Sequence, residues 1–185
     1  KTIFINASVA MMLSVGMTYV IITAGIDLSV GSVLVLSGVL AAKLMIALGG
    51  GVASASTAGW WPIIAGLAVG LLVGVGWGAF NGVLIALLDI PPLIVTLGTF
   101  GMALGLADVI TGGVDVSGIP ATLNTTIGAG SLGPIPVLVV IAAAVTIVLG
   151  LVLHFTRFGR YTYAIGSNAE AVRRAGINGN WHLIK

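Results

Sequence analysis

The chain has 185 residues, of which 58% are hydrophobic and only 6% charged, and its formal net charge is +2. Soluble globular domains carry about a quarter charged residues, so this composition excludes an ordinary soluble domain and indicates a membrane protein. Binding to nucleic acid would require clustered Lys and Arg with a groove or aromatic platforms, which this sequence lacks. The absence of cysteine excludes disulfide bonds, a thiolate nucleophile and a thiolate metal site.

Five segments are long and apolar enough to cross a bilayer, which requires roughly 20 residues per helix. We therefore predict an all-α, polytopic transmembrane helical bundle with spans at residues 3–24, 28–48, 62–88, 93–111 and 135–155. A polar segment follows at 156–180, and a further span is expected to start at 181–185. Both ends look cut from a longer chain, so residues 1–185 are expected to be a fragment of one transmembrane domain.

The third span contains glycine at every fourth position, namely Gly66, Gly70, Gly74, Gly78 and Gly82. On an α-helix these positions form one ridge, which lets another helix approach closely. Residues 74–79 also match the dinucleotide-binding pattern of glycines, but no strand precedes them, so we treat this match as false. No Gly-rich loop ends in Gly-Lys-Ser or Gly-Lys-Thr, so we expect no cofactor on this chain and no ATP bound in the usual way.

The segment 156–180 holds all four arginines and the only glutamate of the chain. Short loops rich in Lys and Arg remain on the cytoplasmic side of a membrane, which predicts that this segment is cytoplasmic. Counting back through the spans places 112–134 and 49–61 outside, 89–92 and 25–27 inside, and Lys1 outside. The residues that carry this prediction are Arg157 and Arg160 before the glutamate, and Arg173 and Arg174 after it.

The pattern within this basic segment predicts a short helix. Ser167 or Asn168 can cap its start, and Glu170 lies early in it near the positive end of the helix dipole. Arg173 and Arg174 lie near the negative end, and Gly176 is a plausible stop. The pattern alone fits two interpretations equally well: a docking element for a cytoplasmic partner, and a connector that sets topology and contacts anionic lipid.

Several motifs carry a resemblance to one family. The chain resembles the permease subunits of bacterial sugar ABC importers, the ribose and xylose permease family, and the resemblance runs through almost all of it. The motifs in the basic segment are Arg157-Phe-Gly-Arg160-Tyr, Ala164-Ile-Gly-Ser-Asn-Ala-Glu-Ala and Ala175-Gly-Ile-Asn. Those in the spans are Gly25-Ile-Asp-Leu-Ser-Val-Gly-Ser32, Asn81-Gly82 and Pro92-Leu-Ile-Val-Thr-Leu-Gly-Thr99.

This resemblance implies a mechanism and a set of partners. In the family, the short helix of the loop inserts into a groove on a cytoplasmic ATPase, which carries ATP and Mg. The coupling positions implied here are Asn168, Glu170, Arg173, Arg174 and Gly176. Further implied partners are a second permease subunit forming a homodimer, a periplasmic or lipid-anchored sugar-binding protein, and the lipid of the bacterial inner membrane. The permease itself would be a transport subunit and not an enzyme, and it would import a monosaccharide.

The stretch from Gly25 to Ser32 has two interpretations. Asp27 or Ser29 can cap the second span at the inner face, with Gly25 allowing a tight turn. Alternatively, the stretch is a helix break inside the membrane whose backbone and Asp27 line the sugar path. The turn is favoured because both flanking spans are long enough to cross. Three further polar residues can bond either neighbouring helices or a sugar hydroxyl, and bonding to helices is the commoner use: Asn81, Thr96 and Thr99.

Other chemistries fit less well. His154 and His182 lack acidic neighbours at ligand spacing, so we predict no metal site and interpret them as an interfacial and a loop residue. A secondary transporter driven by ions would predict paired intramembrane acids and an inverted repeat, neither of which the sequence contains. An ABC permease for branched-chain amino acids or nucleosides, and a membrane anchor without transport function, remain as alternatives.

Overall fold

The structure, a computed structural model, describes residues 2–184. Five helices are long and apolar enough to cross a membrane: α1 Thr2–Ile22, α2 Val30–Leu48, α4 Trp60–Leu88, α5 Pro92–Thr111 and α7 Val137–Phe155. The shortest has 19 residues, which is about 28 Å at 1.5 Å per residue and close to the thickness of a hydrocarbon core. The prediction of an all-α polytopic fragment with five spans is confirmed. Lys1 and Lys185 lie outside the described residues. The predicted outer N-terminus falls on Lys1, and the predicted further span ends at Lys185.

Short elements fill the segments between these helices. They are α3 Val52–Ala55, α6 Ala121–Leu123, a π-helical turn Asn124–Gly128, strands β1 Ser131–Leu132 and β2 Ile135–Pro136, α8 Arg157–Arg174 and α9 Gly179–Ile184. The two strands pair as an antiparallel hairpin. The sequence predicts no helix or strand in 112–134 and a single short helix in 156–180. The structure instead has short helical turns and a strand in the first segment, and nearly all of 157–184 is helical.

The chain folds as two compact units. The first contains Lys1–Leu28, Ala79–Thr96 and Leu138–Lys185, and the second contains Ser29–Gly78 and Leu97–Val137. All three segments predicted to be cytoplasmic, at 25–27, 89–92 and 156–180, belong to the first unit. Both segments predicted to be outside, at 49–61 and 112–134, belong to the second. The orientation of the spans stays a prediction.

The first unit is held together by contacts among α1, α7, α8 and α9 and the facing ends of α4 and α5. The Tyr19 hydroxyl donates to the Leu149 carbonyl at 2.5 Å, which joins α1 to α7. The Thr96 hydroxyl lies 3.3 Å from the Ile26 carbonyl, so the start of α5 contacts the segment between α1 and α2. Polar side chains thus bind neighbouring segments where apolar packing alone is weak, as is usual for helices in membranes.

The second unit has two small apolar clusters. Leu36, Ala103 and Ala107 form the first, and Ala41, Met45 and Ile63 form the second. The two loop segments of this unit also meet, because the Ala121 amide donates to the Ser56 carbonyl at 3.0 Å. This unit therefore joins the two segments that the orientation rule places outside.

The glycines of α4 do not all face one helix. A Cβ on Gly66 would lie 2.7 Å from the Ala41 carbonyl oxygen, and one on Gly70 would lie 3.4 Å from the Ala41 Cβ, so both approach α2 closely. Gly74 lies further off, with its nearest neighbour at 3.9 Å, and Gly78 has no neighbour within 4 Å among the described residues. Gly82 approaches α9 instead. The expectation of one ridge for one partner helix therefore does not hold over its whole length.

Candidate functional site

Helix α8 is an elbow with two helical parts. Its backbone leaves the helical region at Asn168, where φ is −159° and ψ is 94°, so residues 157–167 form an arm and residues 169–174 a separate tip. The arm begins with a cap, since the Thr156 hydroxyl accepts from the Gly159 amide at 3.3 Å. Its buried residues, Gly159, Thr162 and Ile165, recur at a spacing of three, so one side of the arm packs against the protein.

The tip helix is capped at both ends. The Asn168 side-chain oxygen accepts from the Ala171 amide at 2.9 Å, which makes Asn168, and not Ser167, the N-cap. At the other end, the Ile177 amide donates to the Val172 carbonyl and the Gly176 amide to the Arg173 carbonyl. Together with the φ of +78° at Gly176, these bonds form a Schellman motif. The helix that the sequence pattern predicts is therefore present.

The charged face of the tip is exposed. Glu170 pairs with Arg173 at 2.8 Å and with Arg174 at 3.1 Å, and the two arginine side chains are 78% and 79% exposed. Exposed ion pairs of this kind stabilise a fold by at most about 1 kcal/mol, so these residues add little to stability. Only Val172 of the tip is buried. Arg157 and Arg160 are exposed on the arm, at the end nearer α7.

The base of the arm contacts α9. The Thr162 side chain is 1% exposed, and its hydroxyl lies 2.9 Å from Nε2 of His182. The Phe158 ring lies against the same imidazole, with ring centroids 4.4 Å apart. The interpretation of His182 as a loop residue was wrong, because it is a buried residue of a helix capped by Asn178. The Asn-Gly that opens this helix is the signal in the sequence that could have located it.

Most of the polar residues proposed to line a path are buried. Ser29, Asn81, Thr96 and Thr99 are each at most 4% exposed, and Asp27 is partly exposed. The Thr96 hydroxyl donates to the Pro92 carbonyl of its own helix at 2.9 Å and also lies 3.3 Å from the Ile26 carbonyl. This is the bonding to neighbouring segments that is the commoner use of such a side chain. Gly25, Asp27, Asn81 and Thr96 belong to the first unit, and Ser29 and Thr99 to the second. Their role in transport remains a prediction.

The turn after α1 is closed by a residue that sequence reasoning missed. Ala24, and not Gly25, has the positive φ, at 59°, and the Ala24 and Gly25 amides donate to the carbonyls of Ile21 and Val20. This is a Schellman motif with alanine in the glycine position. Gly25 instead lies in a crowded place, since a Cβ there would lie 3.0 Å from Val20 Cγ1 and 3.1 Å from the Val20 carbonyl oxygen. Ser29 holds the N-cap position of α2, but its side chain makes no capping bond.

No group of three metal-binding side chains occurs within residues 2–184. His154 lies in the last turn of α7, exposed and edge-on to the Phe155 ring at 4.6 Å. The Gly-rich pattern at 74–79 lies inside α4 with no preceding strand, so it has none of the structure that dinucleotide binding requires. Within the first unit, the tip of α8 is a surface that is both capped and exposed.

A family model described as branched-chain amino acid transport system / permease component matches residues 1–185. The chain belongs to this family. Over 182 residues this permease is 35% identical to the D-allose transport system permease protein AlsC of Escherichia coli (strain K12), covering 98% of this chain and 52% of that protein. It is 37% identical over 177 residues to the autoinducer 2 import system permease protein LsrC of Yersinia enterocolitica, covering 95% of this chain and 45% of that protein.

These matches confirm the resemblance to the permease subunits of bacterial sugar ABC importers. With its five membrane-length helices, this permease is a multi-pass membrane protein and a transport component. The chain spans about half the length of the curated relatives it matches. No solved structure matches it.

Proposed function

We propose that this chain is part of the permease subunit of an ABC importer, and that the α8 tip is the element that docks on a cytoplasmic ATPase. The observation that carries this proposal is the capped tip of 169–174, which has its polar face exposed and follows an arm that packs against the protein on one side. A coupling element must be ordered before its partner arrives and must be attached firmly to the membrane helices. A connector that only sets topology needs neither property.

The proposed solute is a monosaccharide. Support comes from the printed names of relatives, one of which is a D-allose transport system permease. The family description names branched-chain amino acids instead, so an amino acid remains the second candidate. The two candidates differ in charge, because an amino acid carries a carboxylate and an ammonium group and a sugar carries neither. The amide of Asn81 and the hydroxyl of Thr96, both in the first unit, suit a neutral polyhydroxylated solute.

The proposed assembly has further members. A second permease subunit completes the path, two ATPase subunits supply ATP and Mg, and a periplasmic or lipid-anchored binding protein delivers the solute at the outer face. The location is the bacterial inner membrane. This chain binds no nucleotide in the proposal and makes no covalent bond during transport. Its contribution is to convert closure of the ATPase pair into movement of helices.

Crosslinking tests the docking of the tip. Because the chain has no cysteine, a single introduced thiol is unique in it. Asn168 is unsuitable, since its side chain is the N-cap, whereas Ala169 is exposed and keeps the cap intact. We expect Ala169→Cys, in the complete subunit in membranes, to crosslink to a cysteine in the ATPase groove with a yield that changes on adding ATP.

The matched control is Leu88→Cys, at the predicted cytoplasmic end of the third span, which is 60% exposed and remote in sequence from the tip. It should react with a soluble thiol reagent but give no crosslink to the ATPase groove. Equal crosslinking from both positions would show unspecific collision. Absence of a crosslink at 169 and at every exposed position of the tip, in a correctly inserted subunit, would overturn the docking proposal.

A further inference from the structure

Helix α9 contacts two other helices of its unit. His182, in its last turn, is bonded to Thr162 of the α8 arm. The backbone near its end rests on α4, because a Cβ on Gly82 would lie 2.9 Å from Ile184 Cα and 3.3 Å from the Leu183 carbonyl oxygen. A six-residue helix is therefore connected on one side to the proposed docking element and on the other to a membrane-length helix.

The Thr162 hydroxyl lies between two partners, the Phe158 carbonyl at 3.0 Å and His182 Nε2 at 2.9 Å. Because the hydroxyl has a single hydrogen, it accepts from Nε2 when it donates to Phe158, and it donates to Nε2 in the other imidazole tautomer. Either arrangement joins the two side chains by one hydrogen bond. Thr162 is 1% and His182 9% exposed, so water competes little for the bond. A buried hydrogen bond is electrostatically stronger than an exposed one.

Aromatic rings hold the imidazole in place. The Phe158 ring lies 4.4 Å from it at an interplanar angle of 34°, and the Tyr161 ring lies 6.1 Å away, edge-on at 73°. All three residues that surround His182 in these contacts belong to the α8 arm: Phe158, Tyr161 and Thr162. A displacement of the arm must therefore carry the imidazole with it or break the hydrogen bond.

We propose that the hydrogen bond between His182 and Thr162, together with the contact of Ile184 on Gly82, is the connection through which α8 moves α4. This inference rests on the proposed docking of the α8 tip and adds to it the route of the movement. Thr162 and His182 are positioning residues, since neither contacts solute nor nucleotide in the proposal. Gly82 acts by its lack of a side chain, which brings the backbone of α9 into direct contact with α4.

A label on α4 tests this route. Leu87 lies in α4 five residues after Gly82 and is 59% exposed, so Leu87→Cys can carry a nitroxide without disturbing packing. In the complete subunit assembled with its ATPase, we expect the mobility of this label to change when ATP is added. Thr162→Val removes the hydroxyl and keeps the shape of the side chain. It should reduce the ATP-dependent change about five-fold, as expected when one buried hydrogen bond is lost.

His182→Leu should reduce the change to the same extent, and the double variant no further, because both substitutions break one bond. Thr162→Ser restores a hydroxyl and His182→Gln restores a side-chain N–H, so each should recover most of the response. A residue that only stabilises the fold would lower the yield or melting temperature and leave the ATP response of the folded fraction unchanged. Where Thr162→Val does not fold, His182→Leu decides the question.

The Ala169→Cys crosslink is measured in the same backgrounds. A nucleotide-sensitive crosslink that persists in Thr162→Val while the Leu87 label stops responding supports the proposal, since docking is then intact and only the route is broken. A label that still responds fully in Thr162→Val and His182→Leu overturns the proposal and leaves the docking intact. Absence of the crosslink in the unsubstituted background overturns the docking and this inference together.

Discussion

Gly166 has no room for a side chain, because a Cβ at this position would overlap the carbonyl oxygen of Ile22. The α8 arm therefore rests directly on the end of α1, backbone against backbone. Gly166→Ala should force the arm away and lower the free energy of unfolding of the complete subunit by about 1–3 kcal/mol. Gly150→Ala, in α7 with nothing within 4 Å, is the control and should change it by less than about 1 kcal/mol. Equal effects of the two substitutions would show that the close approach is not needed.

The cap at Asn168 should control the order of the tip. Asn168→Ala removes the acceptor for the Ala171 amide, which costs about 1 kcal/mol, so exchange of that amide hydrogen should accelerate about five-fold. Asn168→Ser keeps a capping oxygen and should largely preserve protection. Hydrogen exchange resolved at Ala171 measures both. Unchanged exchange in the alanine variant would mean that the tip is ordered by other contacts.

The alanine that follows α1 has a left-handed backbone conformation, and glycine should be more stable at this position. Ala24 has φ 59°, where a Cβ costs about 1–2 kcal/mol, so Ala24→Gly should stabilise the subunit by about 1 kcal/mol. Ala7→Gly lies in the interior of α1 and should destabilise by about 0.5–1 kcal/mol instead. Chemical unfolding in detergent compares the two variants. A change in the free energy of unfolding in the same direction for both variants would contradict the left-handed conformation of Ala24.

Two glycines of α4 should respond differently to alanine. A Cβ on Gly66 would lie 2.7 Å from the Ala41 carbonyl oxygen, whereas one on Gly76 would meet nothing within 4 Å. We expect Gly66→Ala to lower the free energy of unfolding by about 1–3 kcal/mol. Gly76→Ala should leave it unchanged or raise it by up to about 1 kcal/mol, because alanine favours the helix. A loss of stability in Gly76→Ala as large as that in Gly66→Ala would show that another segment packs against the Gly76 face of α4.

The orientation of the spans predicts which thiols are accessible from outside. Val114 is 68% exposed and Leu88 is 60% exposed, so cysteines introduced at these two positions form a matched pair. A membrane-impermeant maleimide should label Val114→Cys in intact cells and Leu88→Cys only after permeabilisation. The reverse pattern would place α8 outside and remove the basis for docking on a cytoplasmic ATPase.

Local chemistry explains which features could be predicted. Helix length and apolar composition were enough for five membrane-length helices, and the capping residues Asn168 and Gly176 marked the ends of the α8 tip, because each acts within a few residues. The burial of His182 depends on Thr162, twenty residues earlier, and no local pattern contains such a pairing. Gly78 shares the spacing of the other glycines, but a Cβ there meets no atom within 4 Å among residues 2–184, since spacing does not specify where partner helices lie.

The turn after α1 illustrates a second limit. Sequence reasoning placed the special backbone conformation at Gly25, because glycine adopts positive φ at no cost. The chain adopts it one residue earlier, at Ala24, and uses Gly25 for its small volume. Tertiary contacts can outweigh a local preference of 1–2 kcal/mol, about the size of one or two hydrogen bonds. The role of the path residues stays a prediction.

Glu170 holds two arginines at once, at 2.8 Å and 3.1 Å, on one edge of the tip. Long side chains normally lose about 0.5–1.5 kcal/mol of rotamer freedom each when a partner immobilises them. Here the two exposed ion pairs, worth at most about 1 kcal/mol, offset part of that cost before any encounter, and the carboxylate also cancels one of the two positive charges. A partner would therefore meet a partly ordered, weakly charged edge that it can recognise by shape. Such an edge suits contacts that must form and release repeatedly, since little has to rearrange in either direction.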